Sequence, residues 1–155
     1  MLYLRQNDPL WGSLKLGASK LTVAGWGCTT TAISMLSDYF GDYASPAVLA
    51  INKKLYTKDG LILWGELRRA FSKFKWVTRQ YGCNRALIDE SLRDPNKAVI
   101  LEVPLGKGKH WVTAIRKNLL GFGSDYIAID PLTGGKINVL AKYKRITGSS
   151  HFERV

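Results

Sequence analysis

Apolar positions fall at helical spacing through the first part of the chain and in short dense runs towards its end. Cys28, Ala32, Met35, Leu36 and Tyr39 recur at i, i+3 and i+4, which predicts a helix from about Cys28, with one stripe facing the core, ending at Gly41. Thr29, Thr30 and Thr31 stand at its start, where hydroxyls can cap free amides. Ser45-Pro46 predicts a second helix, to about Leu55, because serine caps and proline suits the first turn. A third is expected from about Trp64 to Phe74, burying Trp64, Leu67, Ala70 and Phe71. A fourth is expected over Arg85–Arg93, stopped by Asp94-Pro95. Residues 14–27 read as irregular, broken by Gly17, Gly25 and Gly27, and turns are expected at Asn7-Asp8-Pro9 and Trp11-Gly12.

The texture changes after Asn96. Ala98–Val103, His110–Ile115, Asp125–Ile129 and Lys136–Leu140 are rich in Val, Ile and Tyr and are separated by glycine or proline, so they predict antiparallel strands. Helices first and strands second give an α+β fold. The 155 residues suit a single domain spanning 1–155, without repeats or a low-complexity linker.

The register of one expected hairpin makes a site. If its turn centres near Leu120, within Asn118–Gly123, opposed positions sum to about 240, and His110 lies opposite Asp130. Opposed side chains share a face. That face carries His110, Val112, Ala114, Tyr126, Ala128 and Asp130, and the alanines leave room for the helix that starts at Cys28. Trp111, Thr113, Ile115, Ile127 and Ile129 take the other face. Taken singly, His110 reads as a surface residue of a glycine-rich loop, and Asp130 as a turn residue of Asp-Pro-Leu-Thr-Gly. The register ties them together.

Cys28 adds a nucleophile. A helix N-terminus favours the thiolate, and Gly25-Trp26-Gly27 lets main chain approach a substrate. The competing reading is a buried free cysteine packing as a small hydrophobe. Gln6 could supply an amide donor to a developing oxyanion, or be an ordinary loop residue.

Gln6-Asn7-Asp8-Pro9-Leu10-Trp11, Gly27-Cys28-Thr29-Thr30-Thr31-Ala32, Lys109-His110-Trp111-Val112 and Ile129-Asp130-Pro131 with Gly134 come in the order Gln, Cys, His, Asp. Over nearly the whole chain this resembles the C39-like cysteine peptidases, which are papain-like. The resemblance implies that Gln6 serves the oxyanion hole, Cys28 attacks, His110 is the base and Asp130 orients it. Family members often carry Gly-Pro or Pro-Thr after the cysteine, where this chain has threonines. No ATP-binding cassette or membrane segment follows, so an exporter's peptidase domain is not expected. Related domains also occur as phage and bacterial wall hydrolases.

Charge bears on the partner. The net charge is +11, spread as +6 up to Gln80 and +5 from Tyr81 onward. Such a surface attracts nucleic acid, anionic membrane or wall polymers. The expected activity is cleavage of a peptide or isopeptide bond, with peptidoglycan as a candidate substrate. The same residues would serve an acyl transferase. A non-enzymatic nucleic-acid binder would use Trp26, Trp64, Trp76 and Tyr81 for stacking. No cofactor is expected, and Cys28, Cys83, His110 and His151 lack zinc-like spacing. Cys83 is expected to be structural or incidental and His151 exposed. The opening MLYLRQNDPLW has no long apolar run, so no signal peptide and no membrane span are expected, with cytoplasmic synthesis and release to a wall by another route. The oligomeric state stays open.

Overall fold

A computed structural model describes residues 1–120 and 124–155. Its organising element is a helix over Cys28–Phe40, reached through a four-residue turn of helix at Val23–Trp26. These are α2 and α1. Thr22 caps α1 by accepting from the Gly25 amide, and Gly27 joins the two helices. A side chain at Gly27 would press its Cβ to 2.5 Å from the Val23 carbonyl oxygen, so the junction requires glycine. Gly41, at φ 76°, ends α2 in the left-handed conformation. The threonines do not cap: α2 has no side-chain cap, and Thr30 instead hydrogen-bonds the Tyr56 hydroxyl at 2.9 Å. The helix is also buried on nearly all sides rather than along one stripe. Thr30, Thr31, Ala32, Ile33, Ser34, Met35, Leu36, Ser37 and Phe40 are all buried, because α2 is covered by the sheet and by further chain segments. Ser34 and Ser37 tolerate this by donating to the carbonyls of Ala44 and Ser34.

The second helix is shorter than expected. It is α3 over Pro46–Ile51, capped by Ser45, followed by a 3₁₀ turn at Lys53–Leu55. The third is cut further, to a 3₁₀ turn at Trp64–Glu66 and α4 over Leu67–Ala70. Phe71 is already extended, and Ala70 is exposed rather than buried. Phe74 then begins a strand, β1 over Phe74–Tyr81, absent from the sequence reading. The fourth helix, α5, spans Arg85–Arg93 as expected and is capped by Asn84.

The remaining strands are β2 over Lys97–Leu105, β3 over Gly108–Asn118, β4 over Asp125–Asp130, β5 over Gly135–Asn138 and β6 over Gly148–Arg154. A helix α6, Val139–Tyr143, takes up the end of the expected fourth strand. Among the described residues all six strands pair antiparallel, in the order β1-β6-β2-β3-β4-β5. The fold is α+β.

Strand alternation sends side chains to two cores. On one side Ala98, Ile100, Trp111 and Phe152 meet Ile33, Leu36 and Phe40 of α2. On the other, Val99, Leu101, Val112, Ala114, Tyr126 and Ala128 meet Ile88 of α5 and Val139 and Tyr143 of α6. The alanine face is therefore covered by α5 and α6, and α2 packs on the opposite face. No helix among the described residues is long and apolar enough to cross a membrane.

The C-terminal segment overturns the reading of His151. It lies in β6, between β1 and β2, and His151 is 3% exposed. Ser149 and Ser91 hydroxyls hydrogen-bond its two ring nitrogens at 2.8 Å each, which makes burial tolerable. The burial pulls its pKa down to about 4.

Candidate active site

The β3–β4 register places His110 and Asp130 close, though not by direct opposition. Thr113 pairs with Ile129 and Ala114 with Ala128, a sum of 242, and a bulge between Ala114 and Arg116 shifts the rest. The displacement from the expected sum is two residues, an even number, so both side chains keep the same face. The hairpin turn assigned to Asn118–Gly123 falls partly on 121–123, outside the described residues.

His110 Nε2 donates to Asp130 Oδ1 at 2.7 Å, with both residues buried. The Leu132 amide donates to the same oxygen at 3.0 Å. Oδ2 accepts from the Tyr143 hydroxyl at 2.6 Å and from Lys142 Nζ at 2.7 Å. Burial raises the Asp130 pKa, but these four donors, His110 foremost, outweigh it and hold the carboxyl well below its ordinary range. Asp130 also shapes the turn: its carbonyl accepts from Thr133 and Gly134, so the turn reading and the histidine-partner reading both hold.

The pairing of β3 with β4 begins at Thr113, so the main chain at His110 and Trp111 is open on that margin. Cys28, the first residue of α2, meets it there, close enough to the Trp111 amide and to His110 for both to favour its thiolate. Because Nε2 is committed to Asp130, Nδ1 is the nitrogen left to face the sulfur. Burial pushes the Cys28 thiol up. The hydrogen bond and charge of His110, the Trp111 amide and the Thr29 hydroxyl outweigh burial, and the net pKa lies below that of an ordinary thiol. Burial pulls His110 down, but Asp130 and Cys28 carry it up to about 9. The arrangement favours a thiolate–imidazolium pair. Cys28 and Cys83 are both free thiols, and Cys83 is exposed.

Gln6, 3% exposed, bridges the two halves of this cluster. Its Nε2 donates to the Ala24 carbonyl at 2.9 Å, just ahead of the Cys28 helix, and its main-chain N–H donates to the Pro131 carbonyl, next to Asp130, at 2.8 Å. Trp11 Nε1 donates to the Arg5 carbonyl at 2.8 Å and holds the same segment. One Nε2 hydrogen remains uncommitted to Ala24. The structure thus gathers Cys28, His110 and Asp130, and ties Gln6 to the chain on both sides of them. Lys142 and Tyr143 were missed by sequence reasoning. They follow a segment read as strand, and nothing in Ala-Lys-Tyr-Lys marks two donors to a distant carboxylate.

Of the aromatic residues considered for base stacking, Trp64 and Trp76 stack on each other at 6.3 Å against the core, while Trp26 and Tyr81 are exposed. No group of three or more His, Cys, Asp or Glu among the described residues could hold a metal ion. No family model, curated protein or solved structure matches this chain.

Proposed function

We propose that the protein is a papain-like cysteine peptidase of the C39-like kind, cleaving a peptide or isopeptide bond through a thioester. The Cys28 thiolate attacks the carbonyl carbon, and the carbonyl electron pair moves to oxygen. The Cys28 amide and the free Gln6 Nε2 hydrogen donate to that oxyanion. As the tetrahedral species collapses, the C–N bond breaks and the leaving nitrogen takes the His110 proton. Water then attacks the thioester, gives a proton to His110, and releases the carboxylic acid and the Cys28 thiolate. Asp130 holds the imidazole with Nε2 turned away from the sulfur and supports its charge.

The observation that supports the reading is the Cys28–His110–Asp130 line, built from a helix start and two strand ends far apart in sequence. The +11 charge favours an anionic polymer, and we propose peptidoglycan stems as the substrate. The test is mass spectrometry of products from purified peptidoglycan and from a peptide library, with wild type and Cys28→Ala. Products gaining one water, formed by wild type alone, are expected. Products gaining an amine would make it a transferase, and turnover by Cys28→Ala would overturn the mechanism.

A further inference from the structure

Beside Cys28 lies a cavity of about 280 Å³, open to solvent, whose walls include Trp26, Thr29, Tyr56, Trp64, Trp111 and Arg79. Its volume suits one amino-acid side chain rather than a drug-sized ligand. The walls are aromatic and aliphatic, and they include Thr29, the residue that follows Cys28 and whose hydroxyl acts on its thiol. Among the described residues, Arg79 is the one charged group in the lining.

Arg79 is held rigidly. Its Nη2 donates to Glu102, and its guanidinium lies 4.9 Å from the Trp111 ring centre and 4.8 Å from that of Tyr81. Glu102 is 1% exposed and is also held by Lys109 at 3.1 Å and by the Thr147 hydroxyl at 2.9 Å. Two cations against one carboxylate leave this cluster one positive charge. Glu102 is buried away from solvent, whereas Arg79 keeps a partly exposed side chain. Arg79 Nε is buried and has no hydrogen-bond acceptor among the described residues. A buried donor without a partner costs free energy that an acceptor would recover.

Resting on the cysteine-peptidase reading, we propose that this cavity is a specificity pocket for a substrate residue bearing a carboxylate, with Arg79 as the group that recognises it. Glu102, Trp111 and Tyr81 fix the guanidinium in advance, so little ordering remains to be done on binding. The aromatic walls pack the aliphatic part of the residue and lower the local dielectric, which strengthens the ion pair.

The probes are iodoacetyl-glutamic acid α-amide and iodoacetyl-glutamine α-amide, which differ only in one carboxylate. The Cys28 thiolate attacks the iodinated carbon, the C–S bond forms and iodide leaves. Rates are read as mass gained at Cys28 and at Cys83 by peptide mapping. The acid is expected to label Cys28 about tenfold faster than the amide, as for one charge-assisted hydrogen bond. Labelling at Cys83 should show no such preference. Arg79→Gln should bring the Cys28 ratio towards one, and Arg79→Lys should restore much of it, with circular dichroism confirming folding. Equal rates for the two probes at Cys28, with Cys28 still outpacing Cys83, would overturn the pocket and leave the nucleophile standing. A preference that persists in folded Arg79→Gln would also overturn it. Cys28 labelling no faster than Cys83 with either probe would overturn both readings.

Discussion

His110 Nε2 and Asp130 Oδ1 are 2.7 Å apart although their strands are displaced by two residues from direct opposition. An even displacement preserves the face, and the diagonal neighbour is within reach of an imidazole. Asp130→Asn would keep the site's shape and remove its charge. His110 should then titrate well below its present value of about 9, read by NMR of the ring protons. Turnover should fall, though by less than the roughly 10²–10⁴ expected for His110→Ala. An unchanged His110 titration in Asp130→Asn would remove Asp130 from the account.

Lys142 and Tyr143 both donate to Asp130 Oδ2, so His110 shares its counter-ion with the Lys142 ammonium. Lys142→Met should let Asp130 act on His110 alone and move the alkaline limb of the pH–rate profile upward. Tyr143→Phe should leave a buried carboxylate one donor short and cost about 1–3 kcal/mol of stability. Denaturant unfolding and the pH profile of kcat/KM measure the two effects. A limb that stays in place in Lys142→Met would show that Lys142 holds the turn without tuning the histidine.

The β3 face containing His110, Val112 and Ala114 was legible from alternation, as were the span of α5 and both ends of α2. What covers that face was not. Small residues such as Ala114 and Ala128 admit any helix, and α5 and α6 take the place expected for α2. Strand β6 was hidden for a different reason. Ser149, Ser150 and His151 look like a polar tail until their partners Trp76 and Ser91 are known. The helix expected to Phe74 failed because Phe71 and Phe74 stand three apart, as on a helix face, while the strand period of two starts only with Phe74 and Trp76. Cys28 opens α2, His110 lies near the start of β3 and Asp130 closes β4, which is what let the sequence suggest their approach, whereas Gln6 lies in a turn ahead of the first helix and carried no such mark. Lys142 and Tyr143 lacked such a mark.

His151 sets an acid limit on stability. Its pKa is lowered from 6.5 to about 4 by burial. Below pH 6.5 the unfolded chain takes up a proton that the folded chain refuses until about pH 4. Stability is thus full above the unfolded value and falls as pH drops through that window, by up to about 1.4 kcal/mol per pH unit. His110 is raised and Cys28 is lowered, so their contributions to the slope oppose one another. His151→Gln can keep both serine contacts and should flatten the loss. A loss that is as steep in this variant, followed by urea unfolding, would assign it to other groups.

The spread +11 charge predicts binding to wall teichoic acid or to nucleic acid that weakens steeply with salt, through release of counterions. Cys28→Ala should bind as wild type does, since the thiol is half-buried and small. Binding that ignores salt would mean charge is not the driver.

The thiolate–imidazolium pair is the centre of the account, and the pH dependence of iodoacetamide labelling at Cys28, mapped against Cys83, tests it most directly. Cys28 should label faster than Cys83 at and below neutral pH, because the hydrogen bond and charge of His110 lower its pKa below that of an ordinary thiol. In His110→Ala the Cys28 profile should move to alkaline pH and approach that of an ordinary thiol. Cys28 labelling more slowly than Cys83 near neutrality, or a profile unmoved in His110→Ala, would contradict the pair and the mechanism built on it.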